Sequence, residues 1–332
     1  MRGLRLRTGF HTLDRWLYNV GVALRPPARA DLVVGYDLDG FLWARRQPRA
    51  PFVAALKGII AQELLNERGW VRVLLGVQAR WERRNAVRAD LVAVPSLDSA
   101  QVAARAYGVP RARLLVVPEA IDLERWEAEL AAARAAVPTV TAAARAPAAP
   151  SGPVILSVAR MYPRKRIADL LRAADALRRD VPAARVRVVG RGPEWDLAQR
   201  LHAELALGET VALLGDVTRE ALAAEYARAD VFYLASVQEG FGIVFLEAMA
   251  AGLPIVACRV SAIPETVVDG VVGVLVPPGE PAAAAAALAA LARDPARRRA
   301  LGEAGRERVR DYALDRVAAT FLRAVQSLID AS

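Results

Sequence analysis

Four ionisable side chains and a set of glycines in the second half of the chain have types and spacing that could do chemistry. Arg160 is followed five residues on by Lys165. "GRGPE" spans 190–194, "GD" stands at 215–216, and Glu239 and Glu247 lie eight positions apart around Gly240-Phe241-Gly242. Gly240 and Gly242 allow a backbone to approach a ligand or to take positive φ. They stand just before "IVFLEAMAAG" (243–252), which reads as a helix closed by Gly252. The free N–H groups and dipole of a helix start favour an anion. Arg160 and Lys165 would add fixed positive charge, and together these features suit a diphosphate. A carboxylate accepts hydrogen bonds from vicinal hydroxyls, so two acids flanking such a site suit a ribose and a sugar. Taken singly, each feature is commonplace: a solvated glutamate, a capping acid, a surface arginine. Their joint order is far more specific.

The elements that must position them are read from hydropathy. From 153 onward, short apolar runs alternate with amphipathic stretches: "PVILSVA", "ARVRVVG", "TVALLG", "DVFYLAS", "PIVACR" and "GVLVP" as strands, with helices at 167–180, 194–205, 218–229 and 243–252 and an Ala-rich helix at 282–292. This is repeated βα organisation, so a parallel sheet covered on both faces. Ligands of such sheets collect beyond the carboxyl ends of the strands, where all the residues above fall. The first half gives "ADLVVGYD" (30–37), "APFVAAL" (50–56), "ADLVAVPS" (89–96) and "RLLVVPEAID" (113–122) as strands, and 11–24 and 66–88 as largely helical. An Ala/Pro-rich seam at 131–152 reads as a linker.

Composition limits the functions available. A chain of 332 residues, 55% apolar, suits two domains with sizeable cores. The single cysteine, Cys258, excludes an intrachain disulfide and a cysteine-based zinc site, and reads as a small core residue. Two histidines, His11 and His202, cannot make a histidine metal cluster. No apolar run is long enough to span a bilayer, and no leader-like apolar region follows the basic "MRGLRLRTGF", so a cytoplasmic protein is expected. The net charge of +9 is concentrated in residues 1–150, with 22 Arg/Lys against 14 Asp/Glu. Such a half attracts an anionic membrane surface or a phosphorylated acceptor; a solvated Arg-rich surface accounts for it equally well. The interleaving of aromatic and basic residues that stacks bases is lacking, so no nucleic acid is expected.

Residues 153–312 resemble the nucleotide-sugar half of the family-four glycosyltransferases, which have the GT-B fold. The resemblance rests on "SVARMYPRKRIADLLRAADAL", "VRVVGRGPE", "LLGDV", "YARADVFYLASVQEGFGIVFLEAMAAGLPIVA" and "PETVVDGVVGVLVPPGE", in that order. "ADLVAVPSLDSAQVAARAYGVPRARLLVVPEAID" is similar to a first-domain segment of the family. The resemblance implies an α/β protein with two Rossmann-like domains facing across a cleft. Residues 1–130 would be the acceptor-side domain, lacking its initial strands. Residues 131–152 would be the linker, 153–312 the nucleotide-sugar domain, and 313–332 a helix crossing back to the first domain.

It further implies a retaining transfer from a UDP- or GDP-linked sugar to an acceptor hydroxyl on a glycan, a lipid-linked compound or a small molecule, with no metal and no cofactor. Arg160 and Lys165 would hold the diphosphate and Glu239 the transferred sugar, with Gly240, Phe241 and Gly242 around sugar and phosphate. Glu247 would hold the ribose; Gly190, Arg191 and Asp216 would lie near the nucleotide. Three departures stand out: the family's opening strands and glycine-rich loop are absent, Lys57 stands where a histidine is usual, and Ser261-Ala262-Ile263 replaces a Gly-Gly pair. The first suggests a start placed too far downstream or a truncated chain, with exposed sheet edges. Two other functions fit parts of the pattern: a non-catalytic nucleotide-sugar-binding protein and a nucleotide-sugar 2-epimerase. Peripheral placement at the inner membrane face is a further expectation from the basic half.

Overall fold

The computed structural model describes residues 11–24, 30–45, 50–136 and 152–330. The chain divides into two compact units, one running up to Glu119 and resuming at Asp315, the other Ala120–Leu314.

The first unit holds a parallel sheet of four strands in sequential order: β1 (Val33–Tyr36), β2 (Phe52–Ala55), β3 (Leu91–Val94) and β4 (Leu114–Val116). Among the described residues β1 is therefore an edge. The strands are β-branched or Ala-rich, and Phe52, Val53, Ala54 and Val92 are wholly buried. Helix α1 (His11–Leu24) precedes β1; the single-turn α2 (Ile60–Glu63) and the long α3 (Gly69–Arg88) follow β2. Helix α4 (Leu97–Tyr107) begins where the Ser96 hydroxyl accepts from Ser99 N–H and ends at Gly108 in the left-handed region.

The second unit begins with α5 (Leu123–Ala136). Residues 131–136 had been expected to open the linker, but the Ala run continues the helix because Trp126 and Leu130 are buried and Ala133 packs beside them. The boundary expected at 130 thus lies inside an element of the second unit, and residues 137–151 of the expected linker fall outside the described residues. Six parallel strands follow: β5 (Val154–Val158), β6 (Arg185–Val189), β7 (Val211–Gly215), β8 (Val231–Leu234), β9 (Ile255–Cys258) and β10 (Gly273–Val276). Their spatial order is β10-β9-β8-β5-β6-β7. The order reverses between β5 and β8, so this pair flanks the topological switch point.

Helix α6 (Ile167–Asp180) buries Ile167, Leu170, Leu171, Ala174 and Leu177 on one face, as its spacing requires. α7 (Trp195–Glu204) and α8 (Arg219–Arg228) complete that half, and Thr218 caps α8 by accepting from Ala221 N–H. α9 (Ile243–Ala251) is apolar nearly all round and correspondingly buried. The single-turn α10 (Ile263–Thr266), α11 (Pro281–Arg293) and α12 (Pro295–Val309) end the unit. Helix α13 (Leu314–Asp330) groups with the first unit, where Phe321, Val325 and Leu328 pack near Val53 and Ala93. No helix among the described residues is long and apolar enough to cross a membrane.

Candidate functional site

The loop after β5 runs through Arg160 to a single 3-10 turn, Pro163–Lys165, and is anchored by the buried Met161. Arg166 then takes φ 52°, a left-handed turn that starts α6. Val237 N–H, in the loop after β8, donates to the Arg164 carbonyl at 2.9 Å. Across this main-chain link, Lys165 Nζ meets Glu239 Oε1 at 2.5 Å, with the two side chains only 14% and 8% exposed. Two residues 74 positions apart therefore form a nearly buried ion pair at the switch point. The Ser261 hydroxyl donates to the Glu239 carbonyl at 2.9 Å, which ties in the loop after β9. Ser261 has φ 54°. The position at which the family carries a glycine pair still uses the left-handed conformation, held here by a side-chain hydrogen bond.

Gly242 is the N-cap of α9, with φ 91°, and no side chain caps this helix start. A Cβ at Gly242 would lie 2.6 Å from the Phe245 ring, so only glycine fits. Phe245 N–H donates to the Gly242 carbonyl at 2.9 Å, so the first-turn N–H groups that could meet an anion are those of Ile243 and Val244. Gly240 is not at positive φ. Phe241 is buried in the core, edge-on to Tyr312 at 5.3 Å, so it offers a ligand its backbone at most.

Arg160 is exposed, its guanidinium 5.5 Å from the Tyr162 ring. At Gly190 the chain passes so close to Ala159 that an added Cβ would sit 2.2 Å from its carbonyl oxygen. Arg191 N–H donates to Asp216 Oδ1 at 3.1 Å, and the Arg191 guanidinium stacks on Trp195 at 4.4 Å. Gly190, Arg191 and Asp216 thus sit together on the β6 and β7 loops.

Glu247 lies on the α5–α8 side of α9. The Tyr226 hydroxyl donates to Glu247 Oε2 at 2.8 Å, and the Trp126 indole N–H donates to the Glu247 carbonyl at 3.2 Å. Burial raises the Glu247 carboxyl above the ordinary range, and the Tyr226 hydrogen bond pulls against that. Arg219 covers the Trp126 ring at 5.3 Å and grips Glu129 through both carboxylate oxygens at 2.8 and 2.7 Å. The sequence had not marked Tyr226, Trp126 or Arg219. Tyr226 stands in "AAEYARAD" as an apparent core aromatic, and nothing local announces its long-range partner.

The remaining features have structural roles. Cys258 is buried, and burial pushes its thiol up to about 11. His202 Nε2 lies 2.8 Å from the Val211 carbonyl. In the first unit, Lys57 Nζ bonds Glu119 Oε2 at 3.0 Å, and its backbone N–H donates to Asp37 Oδ1 at 2.9 Å. Among the described residues no cluster of acids, histidine and cysteine could hold a metal ion.

Two parallel-sheet α/β units, one carrying this loop set at its switch point, define a GT-B protein. Residues 142–308 match the family model described as glycosyl transferases group 1, and the chain belongs to that family. It is 35% identical over 270 residues to a GDP-mannose-dependent alpha-(1-6)-phosphatidylinositol monomannoside mannosyltransferase of Mycolicibacterium smegmatis, covering 79% of this chain and 67% of that one. It is 36% identical over 230 residues to a D-inositol 3-phosphate glycosyltransferase of Nocardia farcinica, covering 67% of this chain and 49% of that one. The chain thus spans between about half and two thirds of the length of these curated relatives. Sucrose-phosphate synthase from Thermosynechococcus elongatus superposes with a TM-score of 0.78 at 25% identity, covering 98% of this chain and 81% of that one.

Proposed function

We propose that the protein transfers a sugar from a nucleotide diphosphate donor to an acceptor hydroxyl, with retention and without a metal. The observation that carries this is the Lys165–Glu239 pair, which holds a cation and a carboxylate side by side at the switch point of the second unit. Lys165 and the exposed Arg160 meet the diphosphate, and the start of α9 adds its N–H groups. These stabilise the charge that develops as the bond from the anomeric carbon to the diphosphate breaks. The acceptor oxygen bonds that carbon on the face the diphosphate leaves, and its proton departs with the nucleotide. Glu239 accepts from sugar hydroxyls and Glu247 from the ribose, its carboxyl held by Tyr226. Gly190, Arg191 and Asp216 lie beside the nucleotide. The relatives' names make GDP-mannose the first donor to try.

The test is calorimetric titration with GDP and UDP, followed by turnover with GDP-mannose. Binding that is lost in Lys165→Ala and at least tenfold weaker in Tyr226→Phe supports the donor site. A folded protein that binds neither nucleotide refutes it. Binding without any sugar transfer favours the non-catalytic function, and conversion of the nucleotide-sugar itself favours the epimerase.

A second observation supports peripheral placement on an anionic membrane. At the start of α3 and just before it, Leu65, Trp70, Val71 and Val73 are exposed by 65%, 73%, 52% and 52%. Arg68 and Arg72 stand exposed among them, Glu67 is the one acid between Leu65 and Val73, and none follows from 68 to 81. Apolar side chains flanked by arginines suit the headgroup region of an anionic bilayer. Co-sedimentation with phosphatidylglycerol vesicles, abolished by Trp70→Ser with Arg72→Gln, is expected. Equal sedimentation with phosphatidylcholine vesicles would refute the charge argument.

A further inference from the structure

The loop Glu239–Gly242 carries a carboxylate at one end and leads into α9 at the other. Phe241 stands between Gly240 and Gly242, and two residues without a Cβ leave the main chain around it many conformations. The two ends are fixed. Lys165 and the Ser261 hydroxyl hold Glu239, and Gly242 opens α9, whose Phe245, Leu246 and Met249 are wholly buried. The middle of the loop depends on what holds Phe241.

Phe241 is gripped twice. Its ring meets Tyr312 edge-on, at 5.3 Å and 70°, and both side chains are buried. Its carbonyl accepts from the buried Thr266 hydroxyl at 3.4 Å. Thr266 ends α10, and Tyr312 follows α12. One side chain joins the two. Arg308 Nε–H donates to the Thr266 carbonyl at 2.8 Å, and Nη2 donates to the Glu265 carbonyl at 2.5 Å and to the Tyr312 hydroxyl at 3.1 Å. Arg308 makes no ion pair with any described residue, so this cation serves three neutral oxygens on two segments. A rigid planar fork of N–H donors suits that task; an ammonium on a flexible stem does not reproduce it.

Tyr312 has a further connection through its main chain. Its carbonyl accepts from Ile121 N–H at 3.0 Å, and Leu314 N–H donates to the Ile121 carbonyl at 3.0 Å. Ile121 and Ala313 thus form a parallel bridge, next to Ala120 and Leu314 at the two ends of the second unit. The ring that supports Phe241 is therefore anchored from two sides, by Arg308 at its hydroxyl and by the bridge at its backbone.

We propose that Arg308 and Tyr312 are positioning residues for the transferred sugar: acting through Phe241, they fix the path of the loop and with it the place of the Glu239 carboxylate. The effect on the sugar rests on the glycosyltransferase reading above; the holding of the loop stands without it. The start of α9 is fixed by its own burial, so contacts to the diphosphate survive when the grip on Phe241 is lost.

The test replaces Phe241 by 4-fluorophenylalanine in the full chain and follows its fluorine resonance by NMR. GDP, UDP, GDP-mannose and UDP-glucose are titrated calorimetrically into the unlabelled protein. One narrow resonance is expected for the otherwise native chain. Arg308→Lys, which keeps the charge and removes the fork, should split or broaden it. Thr266→Val, which keeps the side-chain shape and removes the hydroxyl, should do so to a smaller degree, and it serves if Arg308→Lys does not fold. In both variants the affinity for the free nucleotide should stay within threefold of native. In Arg308→Lys the affinity for the sugar-linked form relative to the free nucleotide should fall at least tenfold, the worth of one hydrogen bond to a charged group. The inference is overturned if the resonance of the folded variants matches the native one, if the relative affinity for the sugar-linked form is unchanged, or if free-nucleotide binding is lost as in Lys165→Ala. A native protein that binds neither nucleotide overturns the donor reading and the sugar role with it, while the resonance still reports whether Arg308 holds the loop.

Discussion

Replacing Glu82 by glutamine should stabilise the first unit at neutral pH and remove a slope in its pH profile. The native carboxyl has a folded-state value of about 8 against an ordinary 4.5, because burial disfavours its charged form. Between those values the folded protein holds a proton that the unfolded chain has released. Stability therefore falls as pH rises through this window: the penalty is absent below about 4.5 and complete above about 8. At about 1.36 kcal/mol per pH unit the penalty reaches about 3 kcal/mol at pH 7 and about 5 kcal/mol above pH 8. Glutamine has nearly the same shape, can accept from Ile60 N–H and the Tyr107 hydroxyl through its amide oxygen, and titrates nowhere in the range. At about 2–4 °C per kcal/mol, the variant should melt roughly 6–12 °C higher at pH 7. Urea unfolding of both proteins at pH 5, 6, 7 and 8, followed by tryptophan fluorescence, reads the difference directly. It should widen steadily across the series. A difference that stays within about 1 kcal/mol from pH 5 to 8 would refute the buried-acid argument.

Three other outcomes follow from the second unit. Lys165→Met leaves Glu239 buried and unpaired, so the variant should lose about 3–5 kcal/mol, while Lys165→Met combined with Glu239→Met should recover most of it; calorimetry of both checks the coupling. Gly242→Ala meets both a left-handed backbone and the Phe245 ring, so it should cost about 1–3 kcal/mol and weaken GDP binding; an unchanged melting temperature would contradict the close approach. Trp126→Phe keeps the ring packing but removes the indole N–H that the Glu247 carbonyl accepts, so a loss of about 1 kcal/mol is expected in urea unfolding.

From β5 to α9 the second unit was legible because most of its elements carry a local signature. The α6 face repeats at helical spacing, Thr218 and Gly252 sit at helix ends, and the strands are short apolar runs, two of which, β6 and β7, run into Gly190 and Gly215. The loops bearing Arg160, Lys165 and Glu239 could be placed on one rim because a parallel sheet puts every such loop at the same end. What could not be read were partners far apart in sequence. The Tyr226–Glu247 bond, the Trp126 indole over α9 and the Ser261 hydroxyl on Glu239 depend on how helices pack, and no spacing rule encodes that. The end of α5 was misread because an alanine run looks the same in a helix and in a linker until a buried Trp126 and Leu130 fix it in place. Glu82 was invisible for a related reason: in "RWERRNAVR" it looks like one more charged residue on a solvated helix.

The return of α13 to the first unit has a consequence for synthesis on the ribosome. The strands of that unit emerge first, yet Val53 and Ala93 are covered by Phe321, Val325 and Leu328, which emerge more than two hundred residues later. During translation Ala120–Leu314, a compact unit by itself, can fold before the earlier segment has its last layer. The first unit is thus the last to be finished, and until α13 has emerged Val53 and Ala93 lack the apolar cover that Phe321, Val325 and Leu328 give them.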